Sequence, residues 1–187
     1  NYGKKIINFS DKKVVQSIIS KKNKNKNFIY KKFNYSGVSI DSKKIKKGNL
    51  FFAIKGKKND GHKFLNDALK RGASRLVISK KQKNLPAKRF VKVNNTLTSL
   101  NDLAITTRMN SCAKIIGITG SVGKTTLKNL LSFALKNYGK VYQSPFSFNN
   151  KFGVPLSISN LKNNTNYGVF EIGMDKKGEI DNLSKIV

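Results

Sequence analysis

Four short apolar runs in the first half of the sequence predict the strands of a sheet. These runs are GVSI (37–40), NLFFAI (49–54), RLVIS (75–79) and RFVKV (89–93). Polar or glycine-containing segments bound each of them, as is typical of strands. Because segments with helical spacing alternate with the runs, we interpret this half as an α/β unit built around a sheet.

Three segments of this half are predicted to be helical. HKFLNDALKRG (62–72) carries one apolar face and stops at Gly72. That face consists of Phe64, Leu65, Ala68 and Leu69. A second helix is expected at about 96–109, after NNT, and a short one at VVQSII (14–19), before the lysine-rich loop KKNKNKN (21–27).

A second alternation of elements begins near Ala113. KIIGIT (114–119) predicts a strand, GSVGK (120–124) a turn, and TTLKNLLSFALKNYG (125–139) a helix ended by Gly139. The strands KVYQ (140–143) and YGVFEIG (167–173) follow, and GEIDNLSKIV (178–187) starts another helix. A strand, a glycine turn, a helix and a strand in this order begin a parallel, doubly wound domain.

The two alternations predict an α/β protein with two domains, 1–110 and 111–187. A doubly wound domain usually has about 100–150 residues, more than the second block contains. We therefore expect this chain to be the N-terminal portion of a larger protein, cut inside its second domain.

The segment GITGSVGKTTLKNLL (117–131) has the features of a phosphate-binding loop. Backbone N–H groups of the turn, a lysine and a hydroxyl at a helix N-terminus together suit a triphosphate with Mg²⁺. The residues concerned are Gly120, Ser121, Val122, Gly123, Lys124 and Thr125, with Thr126 as a spare hydroxyl. However, the common loop G-x-x-x-x-G-K-[ST] would need glycine at Ile118. The alternative is a glycine turn with an incidental lysine.

Glu171 is a single acid at the end of an apolar strand. Doubly wound folds bind their ligands at the carboxyl ends of strands, so Glu171 is a candidate for a second Mg²⁺ contact. The alternative is a surface acid at a strand end. No Ser/His/Asp set and no Cys-x-x-Cys metal site is found, and the one histidine is His62.

The net charge of +29 comes almost entirely from lysines spread along the chain. Such a charge attracts nucleic acid or anionic lipid, but arginine, which recognises bases and phosphates in a bidentate manner, is scarce. We interpret the charge as the result of A/T-rich coding bias, with the lysines on a solvated surface. The alternative is a functional basic patch, for which KKNKNKN is the best candidate. One cysteine, Cys112, excludes an internal disulfide framework, and no apolar run is long enough for a membrane span. A cytoplasmic protein is expected.

Several of these stretches together resemble the Mur ligases, the ATP-dependent peptide ligases that build the peptidoglycan precursor. TGSVGKTT (119–126) is similar to the family's phosphate loop T-G-x-x-G-K-T-T, which departs from the common glycine spacing in this same way. VSIDSKKIKKGNLFFAIKG (38–56) and NDGHKFLNDALKRGAS (59–74) resemble its uridine-nucleotide-binding domain, with D-S-R, P-G-x-L-F-x-A and D-G-H-x-F elements. Lys43 and Lys47 replace the usual Arg and Pro of those elements.

Within the family, three features favour the member that adds D-Ala-D-Ala over its diamino-acid-adding neighbour. The loop has Ser-Val where the neighbour usually has Thr-Asn. FNNKFGVPLSIS (148–159) resembles an N-N-x-x-G-x-P-L segment of the D-Ala-D-Ala-adding enzyme. FEIGMDKKGEI (170–180) resembles its E-M-G-M-N-x-x-G-E-I segment, with Asp175 where Asn is common.

The resemblance implies an ATP-driven amide synthesis. The carboxylate of UDP-N-acetylmuramoyl-tripeptide would become an acyl phosphate, which the amine of D-Ala-D-Ala would attack. Implied site residues are Lys124 for the γ-phosphate, Thr125 and Glu171 for Mg²⁺, Asn149 and Asn150 facing the nucleotide or the muramoyl-peptide, and Ser42 with Lys43 at the uridine nucleotide. Asp60 and His62 are further substrate candidates, or else form a turn that caps the helix from 62.

The resemblance also implies parts that this chain does not contain. A metal-bridging carbamylated lysine, an adenine-contacting segment and a C-terminal domain would lie beyond Val187, so the chain alone is expected to be inactive. A monomer is expected, with small-molecule substrates and no nucleic-acid or membrane partner. The alternatives are a third-amino-acid-adding ligase, a folylpolyglutamate-synthase-like ligase and, from another class, a basic nucleic-acid-binding module whose binding would fall steeply with salt.

Overall fold

The computed structural model describes residues 33–56, 59–80, 82, 85–173 and 178–187. The predicted helix at 14–19, the KKNKNKN segment and Asp175 lie outside these residues. The strands are β1 (Val38–Ser39), β2 (Leu50–Phe52), β3 (Arg75–Ile78), β4 (Phe90–Lys92), β5 (Lys114–Ile118), β6 (Val141–Gln143) and β7 (Tyr167–Glu171). The α-helices are α1 (Leu65–Lys70), α2 (Thr96–Asn110), α3 (Lys124–Leu135), α4 (Gly153–Ser159) and α5 (Glu179–Ser184).

The first four strands form a parallel sheet in the order β1-β2-β3-β4. All three residues of β2 are buried, and Leu76, Val77 and Ile78 of β3 have no exposed surface. A strand that is buried on both faces has a continuous run of apolar residues, and these runs allowed the strands to be predicted from the sequence. Since the strands are parallel, the segments after β1 and β2 leave the sheet at the same edge.

The helix predicted at 62–72 begins later than expected. Gly61–Phe64 is a 3₁₀ turn, and α1 starts at Leu65. The Asp60 carboxylate accepts a hydrogen bond from the His62 backbone N–H and so fixes this tighter turn. As a consequence Phe64 is exposed and does not share the buried face of Leu65 and Ala68, which corrects that part of the prediction.

The remaining three strands form a second parallel sheet in the order β5-β7-β6. In β7 every residue after Tyr167 is buried, and Glu171 ends the strand as predicted. Ile118, the last residue of β5, pairs with Glu171 and is buried. The carboxyl ends of all three strands therefore lie at one edge, where doubly wound folds hold their ligands.

Helices α2 and α3 confirm two sequence predictions. The Asn95 side chain caps α2 by accepting from the N–H groups of Leu97 and Thr98, as polar residues do at a helix start. Helix α3 is prolonged by a 3₁₀ turn, Lys136–Tyr138, and the chain turns at Gly139.

Helix α4 was not predicted, because all seven of its residues are buried and no polar face gives it a period. Its start is defined by Asn150, whose side-chain oxygen accepts from the N–H groups of Phe152 and Gly153. Pro155 is tolerated in the first turn, where its missing N–H has no helical partner to lose. Helix α4 packs against α2, and Val154 and Ile158 join Phe170 of β7 in the core.

The α/β class with parallel sheets is thus confirmed. The division into domains 1–110 and 111–187 stays a prediction. No helix among the described residues has both the length and the apolar character needed to cross a membrane.

Candidate functional site: a phosphate loop and a buried glutamate

The loop between β5 and α3 is shaped by two glycines. Gly120 has φ 150° and Gly123 has φ 79°, values that side-chain-bearing residues rarely adopt. A Cβ at Gly123 would meet nothing within 4 Å, so this position requires glycine for its backbone conformation and not for space. Because Ile118 still belongs to β5, the loop proper starts at Thr119. Position 118, which is glycine in the common motif, thus lies in the strand and not in the loop.

The loop is open to solvent and has donors suited to phosphate. Residues 120–123 are exposed, with Val122 at 92%. The first N–H groups of α3 have no intrahelical acceptors, and a helix N-terminus attracts anions. The Lys124 ammonium donates to the carbonyls of Gly120 (2.7 Å) and Ser121 (3.3 Å), so it lies across the loop. Thr126 is exposed on the first turn.

The predicted pair Thr125 and Glu171 is in direct contact. The Thr125 hydroxyl donates to Glu171 Oε2 at 2.8 Å, across 46 positions of sequence. The amide Nδ2 of Asn149 donates to the other carboxylate oxygen, Oε1, at 2.8 Å. Glu171 is only 2% exposed, which makes it the most enclosed of the predicted site residues.

Opposing effects act on the pKa of the Glu171 carboxyl. Burial raises the pKa, but the hydrogen bonds from Thr125 and Asn149 and the charges of Lys128 and Lys124 outweigh it, and the pKa lies below its ordinary value. The group is therefore ionised at neutral pH and able to bind a cation.

These residues fit a magnesium ion held together with a nucleotide. Mg²⁺ in such sites takes one or two protein oxygens and completes its shell with phosphate oxygens and waters. Thr125 Oγ1 and Glu171 Oε2 are two such oxygens, within 2.8 Å of each other, beside a phosphate loop. Within the described residues no group of three or more His, Cys, Asp or Glu exists that could hold a metal by itself.

The two predicted asparagines have different positions. Asn149 faces the site, because its amide holds Glu171 and its backbone carbonyl accepts from the Gly173 N–H at 2.7 Å. Asn150 instead uses its side-chain oxygen to cap α4. Asn150 therefore positions the chain after Asn149, and its role toward a ligand stays a prediction.

Ser42 and Lys43 lie just after β1, in a 3₁₀ turn capped by Asp41. Ser42 is buried, and its hydroxyl together with Arg71 lowers the pKa of the Asp67 carboxyl. Lys43 is exposed, and its backbone N–H donates to Asp41 Oδ1 at 2.9 Å. Of the two predicted residues, Lys43 is therefore the one that is accessible, and its ammonium group is available to a ligand.

Asp60 and His62 are engaged with each other after β2. Asp60 Oδ1 lies 2.7 Å from His62 Nδ1, and Lys80 Nζ lies 3.0 Å from Asp60 Oδ2. His62 Nε2 accepts the N–H of Ser79, just after β3, at 3.0 Å, so the ring proton belongs on Nδ1. Asp60 and His62 thus join the segments that follow β2 and β3 at the same sheet edge as Ser42.

One residue of this site was missed by sequence reasoning. Lys128, one turn after Lys124 on α3, is 1% exposed, and its ammonium lies 3.6 Å from Glu171 Oε2. A lysine in an amphipathic helix usually indicates the solvent face, so composition gave no sign of it. The one available signal was its spacing of four residues from the loop lysine, which places both on one helix face.

Two family models match the chain next to each other. The model described as "Mur ligase family, catalytic domain" matches residues 34–117, and the "Mur ligase middle domain" matches residues 118–187. Together they cover both sheets.

Curated relatives agree with these matches. The UDP-N-acetylmuramoyl-tripeptide--D-alanyl-D-alanine ligase of Rickettsia prowazekii is 38% identical over 154 residues, which are 82% of this chain and 34% of the relative. The enzyme of the same name from Buchnera aphidicola (subspecies Acyrthosiphon pisum) is 40% identical over 149 residues, 80% of this chain and 32% of the relative. The chain thus spans about a third of the length of the curated relatives that it matches.

Two solved ligase structures are similar in fold to this chain. A MurF ligase from Thermotoga maritima in complex with ADP superposes with a TM-score of 0.68 at 35% identity, over 81% of this chain and 35% of that one. The UDP-N-acetylmuramoylalanyl-D-glutamyl-2,6-diaminopimelate--D-alanyl-D-alanyl ligase from Acinetobacter baumannii gives 0.73 at 30% identity, over 82% and 34%.

Proposed function

Because this chain belongs to the Mur ligase family, we propose that the complete protein is an ATP-dependent ligase that adds D-Ala-D-Ala to UDP-N-acetylmuramoyl-tripeptide. The observation that carries the proposal is the contact between Thr125 and the buried Glu171 at the head of the phosphate loop. The names of the curated relatives support the choice of substrates, and the ADP in the Thermotoga maritima structure supports the choice of nucleotide.

The loop residues would act by positioning and by neutralising charge, which is most of what phosphoryl transfer requires. The N–H groups of residues 120–126 would bind phosphate oxygens. Lys124 would exchange its contacts with the carbonyls of Gly120 and Ser121 for the terminal phosphates. Thr125 and Glu171 would hold Mg²⁺.

The proposed ligation has two steps, a phosphoryl transfer and then amide formation. The acceptor carboxylate oxygen attacks the γ-phosphorus of ATP and ADP leaves, which gives an acyl phosphate. The amine of D-Ala-D-Ala then attacks the acyl carbon, the amine loses a proton, and inorganic phosphate leaves as the amide forms. Asn149 would keep Glu171 oriented through its bond to Oε1.

The uridine-nucleotide end of the acceptor would lie at the edge of the first sheet. Lys43 is exposed there and offers a positive charge to a diphosphate, whereas the hydroxyl of Ser42 is turned toward Asp67. Asp60 and His62 would act indirectly, because their mutual contacts hold the shape of this edge. ATP and nucleotide-linked precursors make the cytoplasm the expected place of the reaction.

The proposal is tested with the full-length natural protein, ATP, Mg²⁺, UDP-N-acetylmuramoyl-tripeptide and D-Ala-D-Ala. We expect phosphate release that requires both substrates, and a product heavier than the acceptor by D-Ala-D-Ala less water. Phosphate release only with a dipeptide-stage acceptor and a single amino acid would identify the third-amino-acid-adding ligase instead. No ATP-dependent product with either acceptor would refute a ligase function.

A further inference from the structure

Helix α3 turns an unexpected residue toward the core. Its exposed side chains include Leu127, Leu130 and Phe133, whereas Lys128 and Ser132 are buried. Burying an ammonium group without compensation is strongly unfavourable, and an apolar residue would fill the same space at less cost. The presence of a lysine here therefore calls for an explanation other than packing.

Three oxygen atoms surround the Lys128 ammonium. Its Nζ donates to the carbonyl of Ser144 at 3.0 Å and to the carbonyl of Phe146, and it lies 3.6 Å from Glu171 Oε2. The same residue Ser144 donates its own N–H to the carbonyl of Val169, and its hydroxyl accepts from the Glu171 N–H at 3.2 Å. Lys128 thus connects the segment after β6 to the end of β7.

The segment that Lys128 holds has an unfavourable backbone conformation. Phe146 has φ 48°, the one positive value among the described residues other than glycine, and its ring is 75% exposed. Aromatic residues avoid this region, and such conformations persist where surrounding contacts enforce them. The bond from Lys128 to the Phe146 carbonyl is such a contact. Asn149, which binds Glu171 Oε1, follows three residues later.

Lys128 and Asn149 therefore approach the Glu171 carboxylate from two sides. The Lys128 ammonium forms an ion pair with Oε2, and the Thr125 hydroxyl donates a hydrogen bond to the same oxygen. The Asn149 amide donates to Oε1. Outer groups of this kind orient a metal ligand and tune its affinity without touching the metal.

We propose that Lys128 is a positioning residue of the magnesium–nucleotide site: its buried ammonium fixes both the Glu171 carboxylate and the Ser144–Phe146 segment in the arrangement that holds the metal. This inference rests on the proposed function, because it presupposes that Thr125 and Glu171 bind Mg²⁺. It predicts an effect on metal-dependent nucleotide binding that exceeds any effect on binding without metal.

The test measures binding of a fluorescent ADP analogue to the full-length protein as Mg²⁺ is varied. The variants are Lys128→Met, which keeps the length of the side chain without its charge, and Lys128→Gln, which keeps a donor for the carbonyls. Glu171→Gln gives the effect of altering the metal ligand itself. Lys136→Met, in the exposed 3₁₀ turn that prolongs α3, is the matched control.

We expect Lys128→Met and Lys128→Gln to raise the Mg²⁺ concentration for half-maximal binding roughly 10- to 100-fold, as other outer-group substitutions do. Nucleotide affinity without Mg²⁺ should change far less, and Lys136→Met should behave as the wild type. An unchanged Mg²⁺ requirement in a folded variant would overturn the inference. So would an equal loss of affinity with and without Mg²⁺, which would assign Lys128 a role in nucleotide binding that does not depend on the metal. Failure of both variants to fold would overturn it as well, because it would assign Lys128 to stability.

The outcomes separate this inference from the function on which it rests. A wild-type protein that binds no nucleotide in the presence of Mg²⁺ contradicts the proposed function. A wild-type protein that binds the magnesium nucleotide, with Lys128 variants that match it, contradicts only the positioning role.

Discussion

Glu171 and His62, at the carboxyl edges of the two sheets, differ in whether their hydrogen bonds leave them able to bind a ligand. Glu171 accepts hydrogen bonds from Thr125 and Asn149 on separate oxygens, and under the proposed function a metal would replace the hydroxyl contact. His62 has both ring nitrogens in use, one toward Asp60 and one toward Ser79. The first arrangement suits ligand binding, and the second suits a fixed loop. We therefore expect Asp60 and His62 to contribute to stability, and their contact with a substrate stays a prediction.

Asp60 should make stability depend on pH. Its hydrogen bonds from the His62 N–H, the His62 ring and Lys80 hold the pKa of the carboxyl well below its ordinary value of 3.8. The stabilisation is therefore fully present above about pH 4 and is lost as pH falls through the lower folded-state pKa. We expect Asp60→Asn to cost roughly 1–2 kcal/mol at neutral pH, and this difference from the wild type should shrink below pH 4.

Urea denaturation of the full-length protein between pH 2 and pH 7 measures this difference. Asp181→Asn is the control, because Asp181 forms an exposed ion pair with Lys185 that contributes little. A difference between wild type and Asp60→Asn that stays constant down to pH 2 would show that the carboxylate charge is not the source of the stabilisation.

Short elements around the site are held by close backbone contacts. Helix α4 starts where Gly153 touches Phe148, and a Cβ at Gly153 would lie 2.7 Å from the Phe148 backbone. The chain between these residues contains Asn149 and the capping residue Asn150. The same packing that permits α4 therefore positions the amide that binds Glu171.

Gly153→Ala should destabilise the protein by about 1–3 kcal/mol, the usual cost of overpacking, because backbone atoms must move to accept the new methyl group. Gly117→Ala in β5 is the matched control: its Cβ would meet side-chain methyl groups instead of backbone, those of Ile172 at 3.2 Å and of Val187 at 3.5 Å. Thermal unfolding of both variants gives the comparison. A loss for Gly117→Ala as large as that for Gly153→Ala would contradict the assigned contact.

The strands and the longer helices were predictable because their apolar runs and faces have a clear period or a clear boundary. Helix α4 has neither, since it is buried all round and its capping residue lies outside its own apolar segment. The loop residues Gly123, Lys124 and Thr125 were found by their spacing. Lys128 was not, because only the three-dimensional positions of Ser144, Phe146 and Glu171 reveal what its charge binds.

Contacts between residues far apart in the sequence connect the two sheets. Asn160, which follows α4, accepts the Val38 N–H at 2.8 Å and donates to the Val38 carbonyl at 3.0 Å, as a neighbouring strand would. Lys44, beside the predicted uridine-nucleotide residues, lies 5.3 Å from the ring centroid of Phe146. The sheet edge that carries Ser42 and Lys43 and the sheet edge that carries the loop 119–126 are therefore connected by direct side-chain contacts.

Asn160→Ala should weaken this connection by about 1–3 kcal/mol, because it leaves the backbone N–H and carbonyl of Val38 without their partner. We expect a lower urea midpoint with an unchanged slope, compared with Asn137→Ala in an exposed turn as control. Equal midpoints for the two variants would show that Asn160 does not hold the sheets together.

The phosphate loop is tested most directly by the product mass of the full-length enzyme and its Lys124→Ala variant, with ATP, Mg²⁺, UDP-N-acetylmuramoyl-tripeptide and D-Ala-D-Ala. Lys124 is partly exposed and its ammonium donates to two carbonyls of its own loop, so the variant should fold as the wild type does. We predict that the wild type adds D-Ala-D-Ala and that Lys124→Ala forms no detectable product. Undiminished product formation by Lys124→Ala would contradict the assignment of residues 119–126 as the ATP-binding loop.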